Sequence, residues 1–336
     1  MKSIKFWIGI VISMIFLYLA LRKVEIGQMV TAFRGVNWLY LIPTLVLTLL
    51  NLLIRAYRWR YLLRPIGIVG ISSLFSATTI GLMSNNLLPA RLGELVRAYV
   101  LGEQTGLNKS ASFATIVLER ILDIFILLVF LAAILLVSSF PAWVTRMGYT
   151  VLLINVGVLG FLMVLKTFPN RVEEIVRSIL FFAPSKLSLK VIWLVRSFAE
   201  GLQVFSSWRP LLIALALSVV LWLVIAGTME SALLAFGLPL PIAAPFVVLV
   251  ILSFGLIVPS APGFVGIFQF FTVAGLELFA VSKDRAFSFS ILFHATQFIP
   301  ITAIGLICLW KLNLSFVRLS KVSSVNGVID ANSGSR

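Results

Sequence analysis

Apolar runs long enough to cross a lipid bilayer recur along this chain, at residues 6–22, 37–54, 111–137, 149–166, 210–234 and 286–310. A helix of about 20 such residues spans the hydrocarbon, and a succession of them leaves no soluble fold with interior enough to hide them all. The composition agrees: 60% of residues are hydrophobic, 12% are charged, and the mean hydropathy is +1.10, far from a soluble domain. The expectation is an all-α polytopic membrane protein with six to eight transmembrane helices. Lys2 and Lys5 precede the first run as they would in a signal peptide, but no small-residue cleavage site follows it, so it reads as a retained helix.

Two further apolar stretches, 72–104 and 244–281, are interrupted in their middles. The first break is Asn85-Asn86-Leu87-Leu88-Pro89-Ala90-Arg91-Leu92-Gly93-Glu94, the second Val258-Pro259-Ser260-Ala261-Pro262-Gly263-Phe264-Val265-Gly266. Proline removes a backbone donor and glycine permits a sharp bend, so each stretch reads as two half-helices, either a re-entrant hairpin or a kinked span. Backbone left unpaired at membrane depth must be satisfied by protein or water, which places a polar cavity at both breaks. Each break also sits in the same order of two spans, a broken hairpin and one long span. Residues 6–137 and 149–310 therefore read as halves of an internal duplication, inverted if both hairpins are re-entrant.

Residues 1–321 form one expected transmembrane domain, with an amphipathic linker at 167–209. There, Asn170 with Glu173 reads as a helix N-cap pair, and Pro184-Ser185 starts a second helix carrying Val191, Ile192, Leu194, Val195, Phe198, Leu202 and Phe205. That helix suits either the inner membrane surface or a cytoplasmic elbow. The Ser/Asn/Gly-rich end, 322–336, has little to bury and is expected to be disordered.

The net charge of +15 lies in short clusters beside the apolar runs. Arg55, Arg58, Arg60 and Arg64 have no acid among them, residues 166–209 carry seven basic residues against Glu173, Glu174 and Glu200, and Lys311, Arg318, Lys321 and Arg336 face Asp330 alone. This is the positive-inside pattern. It places these regions and both termini on the cytoplasmic side, in a prokaryotic inner membrane, with anionic lipid headgroups as partners and no nucleic acid. The single cysteine, Cys308, and single histidine, His294, leave no internal disulfide and no Cys/His metal site to expect, and no cofactor is implied.

Within run 111–137 stand Glu119, Arg120 and Asp123. A charge near the bilayer centre costs at least about 2.5–3.5 kcal/mol, so such residues mark a pathway or a binding site. Glu119 and Asp123 share one helix face and Arg120 points about 100° away. Left unpaired, the two acids would serve a proton relay or a cation site; neutralised by Arg91, Arg97 or Arg120, they would hold the fold. Around the first break, Arg91 and Arg97 are suited to a phosphate, since a guanidinium donates two parallel bonds and stays charged at any depth. Asn85 and Asn86 would add hydrogen bonds, Glu94 pairs with Arg97 at i, i+3, and the half-helix after Gly93 offers its backbone N–H groups. The alternative is that this group meets only water and ordinary lipid at the surface. In the second half, Gln269 follows the break Pro259, Pro262, Gly263, Gly266, while His294 and Gln297 share one face of the last span. A lone membrane histidine reads as a packing residue or a proton shuttle.

No phosphate loop ending in Gly-Lys-Ser/Thr, no Gly-x-Ser-x-Gly elbow and no Cys/His cluster occurs, so ATP-driven transport and common hydrolase chemistry find no parts. The run Asn86 to Glu94 with Arg97, then Glu119-Arg120-Ile121-Leu122-Asp123, then Pro262-Gly263-Phe264-Val265-Gly266, resembles the flippase-like family named for the lysylphosphatidylglycerol synthase transmembrane region. The likeness extends over most of residues 5–312. It implies a membrane domain that, in some members, moves aminoacylated phospholipid between leaflets, and that in others is linked to archaeal glycosylation and polyprenyl-sugar pathways. The aminoacyl-transfer domain of some members is missing from this sequence, so lysyl transfer is not expected. Gln269 stands where members often have a glutamate. The expected function is a lipid flippase for an anionic, aminoacylated or polyprenyl-phosphate-linked lipid, without enzymatic activity of its own. The alternatives are a membrane-embedded transferase, or an accessory subunit for a separate lipid-modifying enzyme.

Overall fold

The computed structural model describes residues 4–22, 24–88, 92–135, 142–179, 191–192, 195, 199, 202 and 208–315. They form twelve α-helices and no strand. The first half holds α1 (Ile4–Leu21), α2 (Ile26–Arg34), α3 (Leu41–Leu63), α4 (Ile71–Leu87), α5 (Gly93–Thr105) and α6 (Lys109–Leu135). The second holds α7 (Ala142–Thr167), α8 (Pro169–Ile179), α9 (Trp208–Ala235), α10 (Ala243–Gly255), α11 (Ile267–Glu277) and α12 (Lys283–Lys311). Four stretches, Trp38–Leu63, Gly148–Thr167, Trp208–Ala235 and Lys283–Lys311, are long and apolar enough to cross a membrane unaided, and the chain is an integral membrane protein.

Two of the six expected spans differ. The first, α1, has about the expected length but bends by 81° into α2, a bent pair that together has the length and apolarity of a span. The turn is held by the start of α12: Lys283 donates to the carbonyls of Leu19 and Arg22, and Asp284 accepts from the Glu25 N–H. The third, α6, has 27 residues, ample length for a crossing, but carries its charges in the middle. It is covered by protein instead of lipid, with Glu119 fully buried and Asp123 4% exposed.

Both interrupted stretches are hairpins whose arms run antiparallel, side by side, which removes the kinked-span alternative. In the first, Gly81 of α4 lies against Arg97 of α5 while Asn85 meets Glu94. In the second, Gly255 of α10 lies against Phe271 of α11 and Gly275 against Val248. At about 1.5 Å per residue, the longest arm, α4, reaches roughly 25 Å, short of the ~30 Å hydrocarbon core. Leu88, before Pro89, and Ala261, before Pro262, are both extended, as the ring of a following proline requires.

Two glycines make the hairpins possible. A Cβ on Gly93 would stand 2.0 Å from the Gly81 carbonyl oxygen and 2.6 Å from the Asn85 side chain. Gly266 has φ +86° and its backbone presses on Ser13 of α1, a combination closed to other residues. The hairpin tips meet, with Gly263 against the Asn86 carbonyl and the Phe298 ring.

The packing follows a regular scheme. Helix α3 lies along α9; α4 packs on α12 and α10 on α6; α5 packs on α6 and α11 on α12. Two apolar cores result, one built by α3, α4, α5 and the start of α6, the other by α9 to α12 and the end of α6. Helix α6 passes from one to the other at its charges: Ile116, Leu118 and Leu122 lie in the first, Ile126, Leu127 and Leu131 in the second.

In the linker, α8 begins at Pro169, so Asn170 sits inside the first turn and is not the cap; proline at the first helical position leaves no needed donor unpaired. Glu173 pairs with Arg177 at 2.8 Å. Leu202 is fully buried with Ile121, Leu162 and Leu165, so this part of the apolar side docks on protein. Pro184-Ser185 and the tail 322–336 lie outside the described residues.

Replacing Gly93 by alanine is expected to force the first hairpin open and lower stability by about 1–3 kcal/mol. Gly27→Ala, where an added Cβ meets nothing within 4 Å, is the control. Thermal unfolding in detergent should show a lower midpoint for Gly93→Ala and no loss for Gly27→Ala.

Candidate functional site

Helix α3 carries Thr44, Thr48, Asn51, Arg55 and Arg58 at alternating steps of four and three residues, which places them on one face. Ile42, Val46, Leu49, Leu53 and Tyr57 are exposed on the other, the arrangement of a helix whose solvent is lipid. At the end of the polar face Arg58 is fully buried. Its Nη1 donates to Asp123 Oδ1 and, at 2.9 Å, to the Ser218 hydroxyl of α9; its Nη2 reaches Asp123 Oδ2 at 3.2 Å and Glu119 Oε1 at 2.9 Å. A two-pronged guanidinium thus spans both acids of α6.

Glu119 Oε1 takes two further arginines, Arg97 at 2.9 Å and Arg120 at 2.8 Å, while Oε2 has no partner among the described residues. Arg120 leaves the helix on another face, but its side chain folds back to Glu119 and comes within 3.7 Å of Asp123. Arg97, 4% exposed, stacks on the Trp59 ring at 3.9 Å, and Trp59 Nε1 donates to Thr115 at 2.9 Å. One edge of Arg97 is engaged by Glu119. Its Nε and Nη2 are buried without partners among the described residues, as is Nη1 of Arg55, whose Nε is held by Asn51 at 2.7 Å.

These unengaged nitrogens belong to residues lining a small cleft bounded by Arg55, Thr78, Asn85, Glu94, Arg97 and Arg120, with Gly81 and Gly93 in its wall. Asn85 shapes the cleft by accepting from the Gly93 N–H at 2.8 Å, so it caps the half-helix that was expected to present free donors, and by donating to Glu94 at 3.3 Å. Arg97 turns to Glu119 and not to Glu94.

The two acids are therefore paired, and the expectation of a proton relay through unpaired carboxylates gives way to an ion network. Arg58, expected at the cytoplasmic surface with Arg55, Arg60 and Arg64, is one of its members, and Arg55 lies one turn away, held by Asn51; of the four only Arg60 and Arg64 are exposed. The polar face of α3 was the signal that could have found them, since charge counting alone treats the four arginines alike. Arg91, with Pro89, lies outside the described residues.

Other expected site residues gather elsewhere. Asn86 donates to Thr302 at 2.9 Å and to the Phe298 carbonyl at 3.4 Å, fastening the hairpin tip to α12 instead of facing the cleft. Gln269 accepts from the Gly266 N–H at 2.7 Å and its amide meets His294 Nδ1 at 3.0 Å. His294 stacks on Phe268 at 4.3 Å. Gln297 donates to Thr48 at 3.0 Å, about 15 Å along α3 from Arg58. These three form a second, uncharged polar group at the tip of the second hairpin. His/Cys/Asp/Glu clusters suited to a metal are absent among the described residues.

Removing Arg58 alone would strand two buried carboxylates, whereas removing Asp123 with it leaves Glu119 to Arg97 and Arg120. Arg58→Leu is expected to cost about 3–5 kcal/mol, with Arg58→Leu/Asp123→Leu recovering at least half. A double-mutant cycle of unfolding in detergent measures this coupling.

Comparison with known proteins places this site in a lineage. The lysylphosphatidylglycerol synthase TM region matches residues 6–305. A UPF0104 membrane protein of Methanocaldococcus jannaschii is 29% identical over 132 residues, 38% of this chain and 39% of that protein. One from Methanothermobacter thermautotrophicus is 33% identical over 119 residues, 34% and 35% of the two chains. Glycosyltransferase AglD of Haloferax volcanii is 23% identical over 327 residues, 86% of this chain and 51% of that protein. The chain thus spans about half the length or less of these curated relatives. No solved structure matches it. With 300 consecutive positions aligned to one family, including the charged helix and both broken hairpins, the chain belongs to the lysylphosphatidylglycerol synthase TM region family.

Proposed function

We propose that this protein moves a lipid with an anionic headgroup between membrane leaflets. The observation that carries the reading is a cleft lined by Arg55 and Arg97, whose buried guanidinium nitrogens, Nη1 of the first and Nε and Nη2 of the second, have no partners among the described residues. A buried guanidinium N–H without an acceptor is costly unless a ligand reaches it, and in a membrane protein the abundant anionic acceptors are lipid headgroups. Family membership and the likeness to AglD support a role in lipid or glycolipid biosynthesis or transport.

The fold supports the same reading. Exchanging α3 with α9, α4 with α10, α5 with α11 and α6 with α12 leaves the scheme of contacts among these eight helices unchanged, as two repeats about a pseudo-twofold axis would require. Both hairpins have arms too short to cross and tips that meet, which suits two opposed re-entrant loops at mid-membrane, the arrangement of inverted-repeat transporters. Transfer chemistry is the weaker alternative, because a general base needs a free carboxylate and Glu119 and Asp123 are both ion-paired.

In proteoliposomes carrying a fluorescent phosphatidylglycerol, the protein is expected to expose inner-leaflet label to a membrane-impermeant quencher. Arg55→Gln/Arg97→Gln should slow exposure by about tenfold or more, the loss of one to two charged hydrogen bonds. Wild-type vesicles no faster than empty ones would refute the reading.

A further inference from the structure

Resting on the headgroup reading above, the charge inventory of the cleft narrows the ligand. Four arginines, Arg55, Arg58, Arg97 and Arg120, share one connected site with three acids, Glu94, Glu119 and Asp123. The described residues thus carry one surplus positive charge, four minus three. Arg58 and Arg120 are committed to Glu119 and Asp123, so the surplus falls between Arg55 and Arg97. Neither guanidinium can neutralise itself, because arginine keeps its proton at any depth.

We infer that the cleft takes a singly charged phosphodiester in preference to a doubly charged phosphomonoester. A phosphodiester has two free oxygens sharing one negative charge. Arg55 on α3 and Arg97 on α5 both line this cleft, and Nη1 of the first and Nε and Nη2 of the second have no partner among the described residues, so one oxygen is assigned to each guanidinium. The complex is then neutral. A phosphomonoester above its second pKa of about 6 brings a second charge that no remaining cation among the described residues balances. Where protein and lipid replace water, one uncompensated charge outweighs the extra hydrogen bond a third oxygen would make. The rigid setting strengthens the discrimination: Arg97 is clamped between Trp59 and Glu119, and Arg55 is held by Asn51. The site therefore cannot recruit a further cation by swinging an existing one. Glu94, in the cleft wall, sets the count.

The test is lipid binding by the full chain in maltoside detergent, which contains no phosphate, read by native mass spectrometry with phosphatidylglycerol and phosphatidic acid. At pH 9 phosphatidylglycerol is expected to bind about tenfold more tightly. At pH 5, where phosphatidic acid falls to one charge, the two should agree within about threefold, the phosphatidylglycerol affinity being unchanged. Glu94→Gln raises the surplus to two and should reverse the preference at pH 9. Arg55→Gln, folded by its melting temperature, should lose both lipids. Equal binding at pH 9, or an unchanged ratio in Glu94→Gln, would overturn the charge selection while leaving the headgroup site intact; wild-type protein binding neither lipid would overturn the site itself. Competition with free anions separates the sources: dimethyl phosphate displacing phosphatidylglycerol better than inorganic phosphate extends the selection to the phosphate group alone, and the reverse order contradicts it.

Discussion

Arg58 held between Asp123 and Glu119 is the interaction on which the rest of this structure depends. Burying a guanidinium among apolar helices is prohibitive unless its charge is met, and meeting it draws α3, α6 and, through Ser218, α9 to one point. Because α6 crosses from one apolar core to the other at these residues, the network also fixes how the two cores join. Arg97 then ties α5 to Glu119, which seats the first hairpin and shapes its cleft. Arg97 and Arg120 belong both to this ion network and to the lining of the cleft.

Much of the fold was legible in the sequence because membrane insertion imposes simple rules. Apolar length marked four of the spans, and proline with glycine marked both hairpins, since nothing else in an apolar stretch forces a half-helix to stop. The bend after α1 was not legible, because it is imposed by Lys283 and Asp284 from the far end of the chain. The extra length of α7 and the entry into α8 at Pro169 likewise depend on local packing rather than hydropathy.

At the site, Glu119 and Asp123 were identifiable from cost alone, and Arg97 and Arg120 from proximity to them. Arg58 was hidden by its neighbours. Read as a run, Arg55, Arg58, Arg60 and Arg64 look like an anchoring cluster at the membrane surface. Read at helical spacing, Arg55 and Arg58 continue the polar face of Thr44, Thr48 and Asn51, while Arg60 and Arg64 depart from it. Asn86 misled for a different reason. An asparagine beside a proline break can serve a ligand or the fold with equal chemistry, and only the position of Thr302, some two hundred residues away in the chain, decides for the fold.

The two polar groups differ in how strongly they bind their helices. The charge network joins α3, α5 and α6 through several charge-assisted contacts, and parting any of them strands a buried ion at about 3–5 kcal/mol. Neutral bonds join α11 to α12 through Gln269 and His294, α12 to α3 through Gln297 and Thr48, and α4 to α12 through Asn86 and Thr302. Each contributes only about 1 kcal/mol. The hairpin tips are thus tied by bonds that can be broken without exposing a charge, whereas Arg97 in the cleft wall is tied to α6 by an ion pair that cannot.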